Sequence, residues 1–132
     1  PLKIISDCEA FRKLKRPLVA PVSIFDKNIV KKLSNIKIYN FGVGLEQNVY
    51  KYYKTGTIVP RLYTLAYALS IATSGKAKKI FLAGFDGYGL NNNRTELINN
   101  LIHQYISSSG SKEIIAITPT SYPVTFKSIY NL

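Results

Sequence analysis

KKIFLAGFDGYGLNNNR, residues 78–94, sets the fold class. Ile80, Phe81, Leu82 and Ala83 are apolar in succession, the pattern of a parallel strand covered on both faces. Gly84 and the turn-forming residues after Asp86 favour a strand over a buried helix. The segment therefore places an acid, Asp86, at the carboxyl end of a strand, in front of a loop rich in glycine and asparagine. An acid there is either a ligand group or the cap of its own turn.

Working outward, Pro60 is suited to the first turn of a helix, where its missing N–H costs nothing. The run RLYTLAYALSIATSG then predicts a mostly buried helix to Gly75, with Leu62, Leu65, Ala66 and Leu69 on one face. Downstream, Asn93 and Glu96 have capping-box spacing. The helix that follows shows Leu97, Ile98, Leu101, Ile102, Tyr105 and Ile106 as one apolar face and ends in SSSGS. EIIAITPT predicts the next strand, and the tail SYPVTFKSIYNL has room for one more short strand.

Upstream, LKIIS, PLVAPV and IKIYNFGV read as strands, the last spanning Ile36 to Val43. CEAFRKLKR and KNIVKKLS read as helices, the second capped by Asp26 with Ile29, Val30 and Leu33 on one face. GLEQNVYKYYKTG is expected to be a loop or a short helix. Strands alternating with helices predict an α/β protein, a Rossmann-like three-layer domain with a mostly parallel sheet. At 132 residues a single domain over 1–132 is expected, and a start at Pro1 in a sequence without methionine suggests a processed chain or an excised piece of a longer protein, which the resemblance given below implies is C-terminal.

Composition excludes several classes. No apolar run reaches the length of a membrane span, the nearest being Leu62–Ser74. A lone cysteine, Cys8, forms no internal disulfide, and a cytoplasmic location is expected. The net charge is +11, and residues 1–79 carry fifteen Lys or Arg against four Asp or Glu, whereas residues 80–132 are balanced at three against three. Such an excess attracts phosphates, nucleotides or acidic protein surfaces. No zinc-finger, helix-turn-helix or RNP pattern accompanies the cluster RKLKR, so nucleic acid is not expected as a partner. His103 is the only histidine, which excludes a histidine-cluster metal site.

Ligands of open α/β sheets bind beyond the carboxyl ends of the strands. Four loops are expected at that edge: NFGVG, TIVPR, GFDGYG and TPTSYP. FGVG lacks the spacing of a phosphate loop and reads as a tight turn. The candidate ligand groups are Asp86 for hydroxyls, Tyr88 and Arg61 for an anionic part, and Asn40 to orient a ring. Thr118, Thr120 and Ser121 are expected to line the neighbouring strand end. No nucleophile elbow and no glycosidase-like acid pair is present, so no catalytic residue is assigned.

The unit LYTLAYALSIATSG followed by AKKIFLAGFDGY resembles the corresponding unit of bacterial family 42 sialyltransferases. There a Gly-x-Asp-x-Tyr pattern, here Gly84, Asp86 and Tyr88, lies beneath a nucleotide-sugar, and the resemblance implies that Tyr88 lies near the donor phosphate. This chain runs from Tyr88 through GLNNN to Arg94 and has no histidine matching that family's general base. IFLAGFDGY and the ending ITPTSYPVTFKSIYNL more closely resemble the C-terminal domains of 4-hydroxy-2-oxovalerate aldolase-like and 3-hydroxy-3-methylglutaryl-CoA lyase-like proteins of surface-carbohydrate synthesis. That resemblance implies an accessory domain without a cofactor of its own. Its implied partners are the parent's catalytic barrel, a sugar or nucleotide-sugar, and further copies of itself.

Overall fold

The computed structural model describes residues 7–87 and 92–131, and the chain divides into two compact units, Pro1–Val43 and Gly44–Leu132. The strand expected in LKIIS lies outside the described residues. Among the described residues no helix is long and apolar enough to cross a membrane. The protein is α/β, with parallel sheets and four α-helices among the described residues.

The first unit contains α1 (Cys8–Leu14), β1 (Leu18–Ala20), a 3-10 turn (Val22–Ile24), α2 (Lys27–Lys32) and β2 (Ile38–Asn40). β1 and β2 pair in parallel, Leu18 opposite Ile38 and Ala20 opposite Asn40, with α2 in the crossover. Asp26 starts α2 as expected, its carboxylate accepting from the amides of Asn28 and Ile29 at 2.8 and 2.9 Å. Ile29, Leu33 and Ile36 form the core, with Phe11, Leu18, Phe25 and Ile38 packed against it. Val30 was expected on that face but is 41% exposed, because one residue's step turns it about 100° from Ile29.

The second unit departs from the expected single parallel sheet. β3 (Gly42–Leu45), whose first two residues precede the unit boundary, β4 (Lys51–Tyr53) and β5 (Gly56–Val59) form a sheet in the order β3-β5-β4. The segment read as a loop or short helix is thus the antiparallel β4–β5 hairpin, with Tyr52 opposite Thr57 across a two-residue turn. Its run of tyrosines suits a half-buried pleated surface better than a helix. Likewise the expected strand over 36–43 is two strands, β2 and β3, which join different sheets.

After β5 come α3 (Thr64–Ser74), β6 (Lys79–Leu82), α4 (Asn93–Ile106), β7 (Glu113–Ala116) and β8 (Thr125–Phe126), ending in a 3-10 turn (Ile129–Asn131). The sheet β6-β7-β8 is parallel throughout, Ile80 opposite Ile114 and Ile115 opposite Thr125. The structure departs from expectation at three points. Pro60 follows β5 and does not open a helix; α3 begins at Thr64, leaving Leu62 61% exposed while Ala66, Leu69, Ser70 and Thr73 form its buried face. The cap of α4 is Asn92, whose side-chain oxygen accepts from the Arg94 amide at 2.9 Å, in place of an Asn93–Glu96 box. Finally, β6 is an edge strand with Phe81 47% exposed, and the strand buried on both faces is the central β7, where Ile114, Ile115 and Ala116 are all buried.

Tyr105 joins these pieces. Fully buried, it packs edge-on against Tyr50 and Tyr52, with ring centroids 5.6 and 6.2 Å away. Thr73 donates its hydroxyl to the Leu69 carbonyl at 2.8 Å, so in the 2.6 Å contact between the two side chains the Tyr105 phenol is the donor. The phenol oxygen in turn accepts the Lys112 amide at 3.0 Å. One side chain therefore ties α3 to α4 and to the residue preceding β7. Tyr105→Phe is expected to leave the Lys112 amide without its acceptor and to cost about 1–3 kcal/mol in urea unfolding.

Burial also shifts the tyrosines. The Tyr52 phenol is pushed up to about 12, mainly by burial; Tyr67 is pushed up to about 12 by burial; and Tyr50 is raised by burial and then by Tyr52 and Tyr105. The folded protein thus holds protons that the unfolded chain releases near pH 10. This contribution to stability is complete below pH 10 and is lost as pH rises from 10 to about 12. Urea midpoints should fall across that window, while tyrosinate absorbance should lag behind that of the unfolded chain.

Candidate functional site

The carboxyl ends of β6 and β7 are held together by hydroxyls. Thr118 accepts the Gly84 amide at 2.8 Å. Thr120 donates to the Phe85 carbonyl at 2.6 Å and accepts the Tyr122 amide at 3.2 Å. Ser121 donates both its amide and its hydroxyl to the Asp86 carbonyl, each at 3.1 Å. The rings of Phe85 and Tyr122 close the clasp at 5.0 Å. Parallel strands usually need a crossover of a dozen or more residues. Here residues 117–124, eight in all, carry the chain from β7 to β8 without a helix, and their side chains fasten the β6 loop on the way.

Two glycines shape this loop. Gly84 has φ +65° with open space around the position of a Cβ, whereas Gly87 has φ +107° and a Cβ there would overlap the Ser121 hydroxyl. Only glycine reconciles that backbone with so close an approach.

Beside the clasp lies a cleft of about 430 Å³. Its walls are Gly84–Gly87 after β6, Tyr63, Thr64 and Leu65 at the start of α3, Ile98 of α4, and Tyr122. The start of α3 and the loop after β6 thus line the same cleft. Tyr63 gives that turn no side-chain cap. Asp86 is exposed at the cleft, and its carboxylate makes neither a hydrogen bond nor an ion pair with any described residue. The arrangement offers one carboxylate, a phenol and a hydroxyl at the α3 start, and an aromatic wall. Among the described residues no group of three or more metal-binding side chains occurs.

The residues expected at one edge are only partly brought together. Asp86, Thr118, Thr120 and Ser121 meet, but the three hydroxyl residues are engaged in the loop clasp. Tyr88 lies outside the described residues. Asn40 belongs to the first unit, where its side-chain oxygen accepts the Val22 amide at 3.0 Å and holds the turn after β1. Arg61 lines a separate recess with Gln47, Asn48 and Gln104, and that recess shares no residue with the cleft. FGVG, expected to be a tight turn, contributes to strand β3. Sequence reasoning missed Tyr63, Thr64, Phe85 and Tyr122; the signal available was their adjacency to the first helical turn, to Asp86 and to Ser121.

Compared with known proteins, the chain matches no family model, no curated protein and no solved structure.

The clasp has a direct test. Gly84→Ala should cost about 1–2 kcal/mol in urea unfolding from backbone strain alone. Gly87→Ala should cost more and accelerate hydrogen exchange at the Ser121 amide, because it adds an overlap to the strain.

Proposed function

We propose that this chain is a non-catalytic α/β binding module whose cleft at the end of β6 receives a sugar. The observation that carries this reading is the convergence of the Asp86 carboxylate, which has no partner among the described residues, with the Phe85–Tyr122 aromatic wall. A carboxylate accepts hydroxyl protons through charge-assisted bonds, and an aromatic face covers the apolar face of a sugar ring. At ~30 Å³ per water-sized group, 430 Å³ gives room for roughly fourteen non-hydrogen atoms, the scale of one monosaccharide.

A second reading rests on the uncapped start of α3, which lines the same cleft and favours an anion. On that reading the ligand is a nucleotide-sugar, with its sugar in the cleft, its phosphate toward Thr64 and its nucleoside outside. The parallel β6-β7-β8 sheet with α3 and α4 supports a Rossmann-like three-layer core for either ligand. The resemblance to accessory domains of aldolase-like proteins of surface-carbohydrate synthesis supports a parent protein in which a barrel performs the chemistry. A nucleotide-sugar-dependent transferase and a purely structural module are the competing assignments.

Calorimetry with free hexoses and with UDP-, CMP- and GDP-sugars tests the proposal. Binding to a hexose or its nucleotide conjugate, weakened about tenfold or more by Asp86→Asn, is the expected result. Binding that ignores Asp86→Asn, or no binding across the set, would overturn it.

A further inference from the structure

We propose that the amino end of the β1–β2 pair docks on an anionic phospholipid surface. β2 pairs with β1 in parallel, so the chain leaving the carboxyl end of β1 returns to the amino end of β2, and α2 ends on that return. α1 ends at the same edge, because only Lys15, Arg16 and Pro17 separate it from β1. Two hydrogen bonds fasten the convergence. Arg12 Nη2 donates to the Lys32 carbonyl at 2.8 Å, and the Leu18 amide donates to the Lys37 carbonyl at 2.9 Å.

Positive charge collects at this end. α1 and the chain after it bring Arg12, Lys13, Lys15 and Arg16, α2 brings Lys31 and Lys32, and Lys37 precedes β2. All are exposed, and none forms an ion pair with a described residue. The acids of the described unit stand elsewhere: Asp26 caps the start of α2, after the carboxyl end of β1, while Asp7 and Glu9 belong to the start of α1. Cations complement helix C-termini, but each such end carries only about half a negative charge. The ends of α1 and α2 together therefore offset about one of these cations, and the rest are left for an external polyanion.

An exposed apolar group selects the partner. Leu14, between Lys13 and Lys15, is 62% exposed. A lipid interface satisfies both features, since anionic headgroups neutralise the cations while the leucine enters the acyl boundary. A single-stranded nucleic acid also offers phosphates, but it stacks its bases on exposed aromatic rings. Among the described residues of this unit the one exposed aromatic is Tyr39, and the Lys37 ammonium already lies over its ring, 5.1 Å from the centroid. The surface lies in the first unit and the Asp86 cleft in the second, so either assignment can fail without the other.

The test is flotation of the chain with phosphatidylcholine vesicles carrying ~30% phosphatidylserine, against vesicles of phosphatidylcholine alone. Capture by the first, none by the second, and release on raising salt from ~0.1 M to ~0.5 M are expected. Lys13→Gln, Arg16→Gln and Lys31→Gln should weaken binding about fivefold each and about a hundredfold together. Lys54→Gln, Lys76→Gln and Lys78→Gln together, which remove as much charge from the second unit, should change it by less than about threefold. Leu14→Ser should weaken binding about tenfold. The proposal is overturned if the anionic vesicles do not capture the chain, if the two triple variants lose binding equally, if Leu14→Ser binds as the parent does, or if a single-stranded oligonucleotide binds more tightly than the vesicles at equal phosphate concentration.

Discussion

The second unit depends on the hydrogen-bond relay through Tyr105. Lys112 N–H to phenol oxygen, phenol O–H to Thr73, and Thr73 O–H to the Leu69 carbonyl form a chain in which each group has a defined role. Such a relay in a dry interior is favourable only when complete, since each broken link leaves a buried polar group unpaired. Ser108 extends the arrangement: its hydroxyl donates to the Tyr105 carbonyl at 2.7 Å, so Tyr52 is the donor in the 2.6 Å contact with Ser108. The hairpin, α3, α4 and the entry to β7 are thereby joined by three tyrosine side chains and the hydroxyls of Thr73 and Ser108.

This constraint acts on the opposite end of the sheet. Lys112 immediately precedes β7, so anchoring its amide on Tyr105 sets where β7 starts relative to α3 and α4. In register, Lys79 faces Glu113 across a 3.1 Å ion pair, and Leu82 faces Ala116 at the far end. The exposed ion pair contributes little energy. The burial of Ile114, Ile115 and Ala116 contributes far more, because it removes apolar surface from water on both faces of β7. The loops after Leu82 and Ala116 therefore emerge side by side, close enough for threonine and serine hydroxyls to bind the neighbouring backbone.

That clasp changes the meaning of the loop chemistry. Hydroxyl residues at a strand end suggest ligand contacts, yet Thr120 both donates and accepts within the clasp, and Ser121 donates to the Asp86 carbonyl. They stabilise a short parallel return, and they present Asp86 and the Phe85–Tyr122 pair to the cleft. The structural hydrogen bonds from Ser121 fall on the backbone carbonyl of Asp86, and among the described residues its carboxylate has no partner.

Much of the local structure was legible from residue pattern. Asp26 capping α2, the apolar face of α4 at Ile98, Leu101, Ile102 and Tyr105, though not its expected continuation to Ile106, which is exposed, and the parallel partnership of 79–82 with 113–116 all follow from spacing and side-chain type. Failures occurred where a short apolar or aromatic run suits two environments. KIFL and EIIA look alike as sequence, but only the strand with neighbours on both edges is covered on both faces, and strand order is a non-local property. The tyrosine-rich hairpin was ambiguous for the same reason, since its partners Tyr105 and Ser108 lie more than fifty residues away. Sequence by itself determined where helices and strands could form, because periodicity and caps act within a few residues. Tertiary structure alone decided that Arg61 and Asp86 line different cavities and that Asn40 serves the first unit's own backbone, because those outcomes depend on which distant groups satisfy each polar atom.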